Sequence, residues 1–70
     1  MKIAELSNTD LSNLIDEWIR GERDRAIVKR KLIDEITFES LAEDFDLSVP
    51  QVKRIVYKSV DRISKILERM

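Results

Sequence analysis

The sequence contains no cysteine and no histidine. Without cysteine, the chain can form no disulfide and offers no thiolate as a nucleophile or a metal ligand. Without histidine, it lacks the commonest metal ligand and the commonest general base at neutral pH. The paired carboxylates at 16–17 and 34–35 therefore have no partner with which to build a catalytic or metal site. We expect no enzyme activity, no metal and no cofactor.

Glycine and proline are also scarce, with one of each among 70 residues. This scarcity favours helices joined by short turns. No apolar run exceeds three residues, as at 26–28, whereas a membrane-spanning helix needs about 20. The first residues also lack the hydrophobic stretch of a signal peptide. The length suits one domain, residues 1–70, and we expect a cytoplasmic protein without a membrane segment.

The formal net charge of -1 hides a strong segregation of charge along the chain. Residues 23–33 carry five basic side chains and one acidic side chain, and residues 49–70 carry six basic and two acidic ones. Residues 34–48 carry six acidic side chains and no basic one. The total conceals this polarity, and acidic and basic faces on one small body also suit protein docking.

Hydrophobic periodicity predicts a helix over the first third of the chain and a second helix at 22–33. The first has an apolar stripe at i, i+3, i+4, i+7 and i+8, formed by Leu11, Leu14, Ile15, Trp18 and Ile19. We predict Thr9 or Asn8 as its N-cap and Gly21 as its stop. In the second helix, Ile27, Val28 and Leu32 are predicted to point inward.

Two further helices are predicted in the second half of the chain. Thr37 is a candidate N-cap for a helix that ends near Phe45. Residues 46–48 form a short turn, and Ser48 caps a long helix from Val49 to about Arg69, with Pro50 in its first turn. The result is an all-α, four-helix domain, and we expect one core composed of Leu14, Trp18, Ile27, Phe38, Leu41, Phe45, Leu47, Val52, Val56 and Ile63.

The last two predicted helices have the features of a helix-turn-helix. The turn between them is three or four residues long, and the second helix is longer and basic on its outward side. Asp46 is a turn-favouring residue, and Leu47 after it is apolar and points inward. The abrupt start at Ser48 exposes a helix N-terminus, whose partial positive charge attracts phosphate.

Three segments of the chain resemble region four of bacterial sigma factors. They are residues 23–28 (RDRAIV), 37–43 (TFESLAE) and 47–53 (LSVPQVK), and residues 11–20 correspond to the preceding short helix of that region. The chain departs from the family pattern at Asp34-Glu35, where one subgroup has Glu-Gly, and at Asp46, where glycine is frequent. The region of a sigma factor that melts DNA has no counterpart here. The resemblance is to a short, phage-like or mobile-element regulator and implies sequence-specific DNA binding in transcription regulation.

The predicted DNA contacts divide into base readout and backbone contact. Gln51 and Arg54 lie on the outward side of the last helix near its start, where glutamine suits adenine and arginine suits guanine. Lys53 and Lys58 are placed against the sugar–phosphate wall. The remaining candidates are Ser48 at the helix N-terminus, Arg23 and Arg25 on the opposite strand, and Tyr57, which either touches a base or sugar or packs under Arg20 or Arg23.

A second function remains open, in which the same fold binds a protein and touches DNA little. In sigma region four, the first two helices hold RNA polymerase in an apolar groove. The resemblance would place that surface at residues 14–33, with Ile15, Ile19, Val28 and Leu32 as contacts. A homodimer through the C-terminal Ile66, Leu67 and Met70 is also left open. The basic residues of the last helix favour DNA, whereas the pI of about 5.4 favours protein docking.

Overall fold

The computed structural model describes residues 3–69 of the chain. A short 3-10 turn, Ile3–Glu5, precedes four α-helices, and these described residues contain no strand. The helices are α1 (Asn8–Trp18), α2 (Glu22–Leu32), α3 (Phe38–Asp44) and α4 (Val49–Arg69). The predicted all-α, four-helix fold is therefore confirmed. None of the helices in the described part is long and apolar enough to cross a membrane.

The cap at the start of α1 lies earlier in the chain than predicted. Ser7 is the N-cap, and its hydroxyl oxygen accepts a hydrogen bond from the Asp10 N–H at 3.1 Å. Asn8 and Thr9 lie inside the first turn of the helix instead. Gly21 does not stop α1, which has already ended at Trp18. With a φ of 87°, Gly21 is the N-cap of α2, in a backbone region that side chains rarely adopt.

The turn between α3 and α4 is a Schellman motif. The Thr37 hydroxyl caps α3 as predicted, by accepting from the Ser40 N–H at 3.1 Å. At the other end, the Leu47 N–H donates to the Ala42 carbonyl at 2.9 Å, and the Asp46 N–H donates to the Glu43 carbonyl at 3.4 Å. These bonds satisfy carbonyls that would otherwise have no partner at the end of the helix. They require Asp46 in the left-handed conformation, where its φ is 55°.

The loop between α2 and α3 contains a second left-handed residue, Glu35, with a φ of 57°. The Ile36 N–H donates to the Arg30 carbonyl at 3.1 Å, and the Lys31 ammonium donates to the Ile36 carbonyl at 3.1 Å. These two bonds tie the loop back onto the last turn of α2. Across residues 3–69, Glu35 and Asp46 are the two non-glycine residues with positive φ.

The core consists of two clusters of buried side chains that meet at α4. One lies among α1, α2 and the C-terminal half of α4, and comprises Leu11, Ile15, Ile19, Val28, Ile63 and Leu67. The other lies among α2, α3 and the N-terminal half of α4, and comprises Ile27, Leu41, Ala42, Val52 and Val56. Ile55 packs against both clusters, so α4 joins them into one continuous core.

Several side chains differ in burial from the prediction. Trp18 was predicted in the core, but it retains 36% of its surface exposure. Trp18 borders an open surface beside Arg54 and Arg62 of α4, whereas its neighbour Ile19 packs into the core at 6% exposure. Five predicted core residues are buried as expected, while four others are only half-buried: Leu14, Phe38, Phe45 and Leu47.

The predicted protein-docking surface is wrong because most of it lies inside the core. Ile15 and Val28 have no exposed surface, and Ile19 retains 6%. The C-terminal half of α4 covers them with Ile63 and Leu67. Leu67, at 2% exposure, is accordingly unavailable for a dimer seam. The other residues in these two predictions are Leu32 and Ile66, which are half-buried, and Met70, which lies outside the described residues.

Candidate nucleic-acid interface

The N-terminus of α4 is held by a capping box between Ser48 and Gln51. The Ser48 N–H donates to the Gln51 Oε1 at 2.8 Å, and the Gln51 N–H donates to the Ser48 Oγ at 3.3 Å. The Ser48 hydroxyl also donates to Oε1 at 3.1 Å. Ser48 is therefore the N-cap, as predicted. The Gln51 side chain, predicted to read a base, has its carbonyl oxygen engaged by the helix itself, and only its amide NH₂ faces outward without a bond.

The exposed side of α4 carries a line of cations along its whole length. They recur every three or four residues, which places them on one face of the helix, and all are exposed: Arg54, Lys58, Arg62, Lys65 and Arg69. Arg54 and Arg69 are 15 positions apart, or about 22 Å at 1.5 Å per residue. We call this set the α4 cation stripe.

Three cations of α2 are ion-paired inside the molecule, whereas one cation of the α4 cation stripe is, among the residues that the structure describes. On α2, Lys29 pairs with Asp16 at 2.7 Å, Arg30 with Asp44 at 3.7 Å and Arg23 with Asp24 at 3.3 Å. In the stripe, Lys65 pairs with Asp61 at 3.0 Å. Within residues 3–69, the structure gives no ion pair to the other four cations of the stripe, which are Arg54, Lys58, Arg62 and Arg69. These side chains keep their full charge available for an anion outside the molecule.

Tyr57 and Lys53 lie on the other flank of α4, next to Phe38 of α3. The Tyr57 ring meets the Phe38 ring edge-on, with centroids 5.9 Å apart. The Lys53 and Lys31 ammonium groups lie 5.6 Å and 4.3 Å from the centre of the same Phe38 ring. Tyr57 keeps 59% exposure and packs against Phe38, so the alternative of burial under Arg20 or Arg23 is wrong. Its outer face remains open to a ligand.

The two arginines predicted to clamp the opposite DNA strand both bond to neighbouring groups of the protein itself. The half-buried Arg25 donates through Nη1 to the Ile19 carbonyl at 3.3 Å, which ties the start of α2 to the end of α1. Arg23 pairs with its neighbour Asp24. The arginine of this region that faces the stripe is Arg20, which the sequence suggested only as a cover for Tyr57. The sequence feature that could have indicated this role is its position beside Gly21, in the three-residue connection between α1 and α2.

An open groove runs along the stripe between α4 and the α1–α2 connection. Its first part, about 300 Å³, has Trp18, Arg20 and Asp24 on one side and three stripe cations on the other, namely Arg54, Lys58 and Arg62. Its second part, about 240 Å³, is lined by Trp18, Arg62, Lys65, Ile66 and Arg69. The two parts share Trp18 and Arg62, and we call them together the Trp18 groove.

No group of three or more acidic residues in the described chain is placed to hold a metal ion. Comparison of the sequence and structure with protein-family models, curated proteins and solved structures found no match. The function is therefore inferred from the arrangement of the side chains themselves.

Proposed function

We propose that this protein is a DNA-binding transcription regulator that reads duplex DNA with the N-terminal half of α4. The observation that carries the proposal is the pair Arg54 and Lys58, both exposed on one face and neither ion-paired within residues 3–69. They lie in the first three turns of a helix that a four-residue turn joins to α3. A helix presented in this way is what a helix-turn-helix places in the major groove.

The capping box limits what Gln51 can contribute to base recognition and leaves that role to Arg54. A glutamine recognises adenine with its carbonyl oxygen and its NH₂ group together. Because the Gln51 oxygen already accepts from Ser48, a two-point contact with adenine would require the helix cap to open. Gln51 thus contributes at most a donor while the cap is intact. Arg54, whose guanidinium is unengaged, carries the base readout in this proposal.

The backbone at two positions supports the resemblance to sigma region four. One subgroup of the family has glycine where this chain has Glu35, and glycine is frequent in the family at the position of Asp46. Glycine is the residue that adopts positive φ without strain. These two residues are the non-glycine positions with positive φ in the described chain. A positive φ at both positions is what a family with glycine there would need, and this agreement supports the proposal.

The test is a binding titration of the protein with a fluorescently labelled duplex pool of random sequence. Since the chain is acidic overall, binding has to come from the cations on and beside the N-terminal half of α4 and should be strongly salt-dependent. With about four phosphate contacts, affinity should fall ~100-fold between 50 and 200 mM salt. Selection from a randomised pool should then yield a preferred sequence. If no duplex is bound at low salt, the proposal fails.

A further inference from the structure

The C-terminal half of the α4 cation stripe has no role in the proposed reading of DNA. A recognition helix contacts bases with its N-terminal residues. Lys65 and Arg69 lie about 17 and 22 Å along the helix from Arg54. These cations, together with Arg62, surround the exposed indole of Trp18 and the half-buried Ile66. This part of the groove therefore suits a different anionic ligand.

We propose that the Trp18 groove binds an acidic peptide segment of a partner protein, with a large apolar side chain seated on Trp18 and Ile66. The charge of the groove argues for an acidic partner. The one acidic residue that lines it, Asp24, is paired with Arg23, and Lys65 of its second part is paired with Asp61. Arg62, which lines both parts of the groove, keeps its charge unpaired within the described residues. Carboxylates of a peptide would supply the missing partners through charge-assisted hydrogen bonds.

The shape and lining of the groove favour a peptide over a single-stranded nucleic acid. Grooves for single strands combine cations with successive aromatic side chains, on which neighbouring bases stack. This groove has one aromatic residue, because Tyr57 and Phe38 lie on the opposite flank of α4. Its other large apolar lining residues are aliphatic, namely Ile19, Ile55 and Ile66. An apolar groove between helices, with a charged rim, is a common seat for an amphipathic peptide.

The experiment uses the fluorescence of Trp18, which is the single tryptophan of the chain. The probe is a peptide of glutamate and aspartate residues around a central Leu-Phe pair, and its matched control has Gly-Ser in place of that pair. We expect a saturable blue shift of Trp18 emission with the probe as the indole becomes covered. The control peptide should bind about tenfold more weakly because it lacks the apolar contact.

Two arginine variants test the site. Arg62→Ala should weaken the probe about tenfold, which is the loss of one charge-assisted hydrogen bond. Arg30→Ala removes an equal charge from an exposed site against α3, and should change affinity less than about twofold. Circular dichroism establishes that both variants are folded. Trp18→Ala, measured with a labelled probe, should weaken binding as well.

Four results would overturn the proposal. The first two are the absence of a saturable shift and equal binding of the two peptides. The third is tighter binding of a single-stranded thymidine oligonucleotide with the same dependence on Arg62. The fourth is a self-association, detected by sedimentation, that Arg62→Ala abolishes. No duplex DNA is present in these titrations. A failure here therefore leaves the proposed reading of DNA untouched, and a failure of duplex binding leaves this proposal untouched.

Discussion

Ser48 and Gln51 cap α4 reciprocally, each accepting a hydrogen bond from the backbone N–H of the other, at 2.8 and 3.3 Å. The start of the proposed reading helix is thus fixed by its own side chains before any ligand arrives. One of the residues predicted to read DNA is at the same time a structural element of the helix. The two roles compete for the same oxygen atom, and this competition can be measured.

The first prediction concerns this capping box. Ser48→Ala should lower the free energy of unfolding by about 1 kcal/mol, because it removes the acceptor for the N-terminal N–H groups of α4. Gln51→Ala should also destabilise, whereas Gln51→Glu should keep the cap, since glutamate is a preferred partner at this position. Urea denaturation of the three variants provides the measurement. Equal stability of Gln51→Ala and the wild type would show that the cap is not formed in solution.

The second prediction concerns the two left-handed residues. Glu35→Gly should raise the free energy of unfolding by about 0.5–1 kcal/mol, since relief of the left-handed backbone exceeds the entropy that glycine adds to the unfolded chain. Asp46→Gly should give a smaller gain, because aspartate tolerates this conformation better. Thermal denaturation compares the two. As a control, Glu39→Gly inside α3 should destabilise by about 0.5–1 kcal/mol.

Local signals in the sequence were sufficient to predict the helices of the second half. Thr37 and Ser48 are caps whose partners lie three residues away, and Pro50 is compatible with a helix only in its first turn. Such signals depend on a few neighbouring residues, so they can be read without knowing the fold. The start of α1 was missed because Ser7, Asn8 and Thr9 are all good caps, and periodicity does not choose among adjacent candidates.

The site was predicted less completely, because its geometry depends on which helices cover each other. The outward direction of Arg54 and Lys58 follows from the helical period alone. The helical period also placed Ile15 and Val28 on the apolar faces of their helices, but it could not show that the C-terminal half of α4 covers them. The prediction for Trp18 was wrong for a related reason, since the helical period does not show that Ile19 enters the core while the neighbouring indole borders an open groove.

The third prediction tests the core where α3 meets α4. Leu41 has no exposed surface and packs among α2, α3 and α4. Leu41→Ala should therefore cost about 2–5 kcal/mol, from lost burial and the cavity that remains. In a domain of this size, that is a large share of the total stability. Ser40→Ala, at the exposed neighbouring position, should stay within about 0.5 kcal/mol. Chemical denaturation with unchanged midpoints for both would contradict this packing.

The last prediction separates the reading of bases from the holding of phosphates on α4. Arg54→Ala should lose about 1–3 kcal/mol on the preferred duplex and less on unrelated sequences, because its guanidinium is free to meet a guanine edge. Lys58→Ala, one turn further along, should weaken all sequences alike and reduce the slope of log affinity against log salt by about one. Titrations of specific and random duplexes at several salt concentrations measure both effects.

Arg30→Ala is the matched control for these titrations, since it removes a cation that is exposed but paired with Asp44 on α3. It should leave both the affinity and the salt slope close to those of the wild type. If Arg54→Ala and Lys58→Ala gave the same loss on every sequence, α4 would hold DNA without reading it. If Arg30→Ala weakened binding as much as the α4 variants did, binding would depend on total charge. The absence of ion pairs at Arg54 and Lys58 would then not explain why α4 contacts DNA.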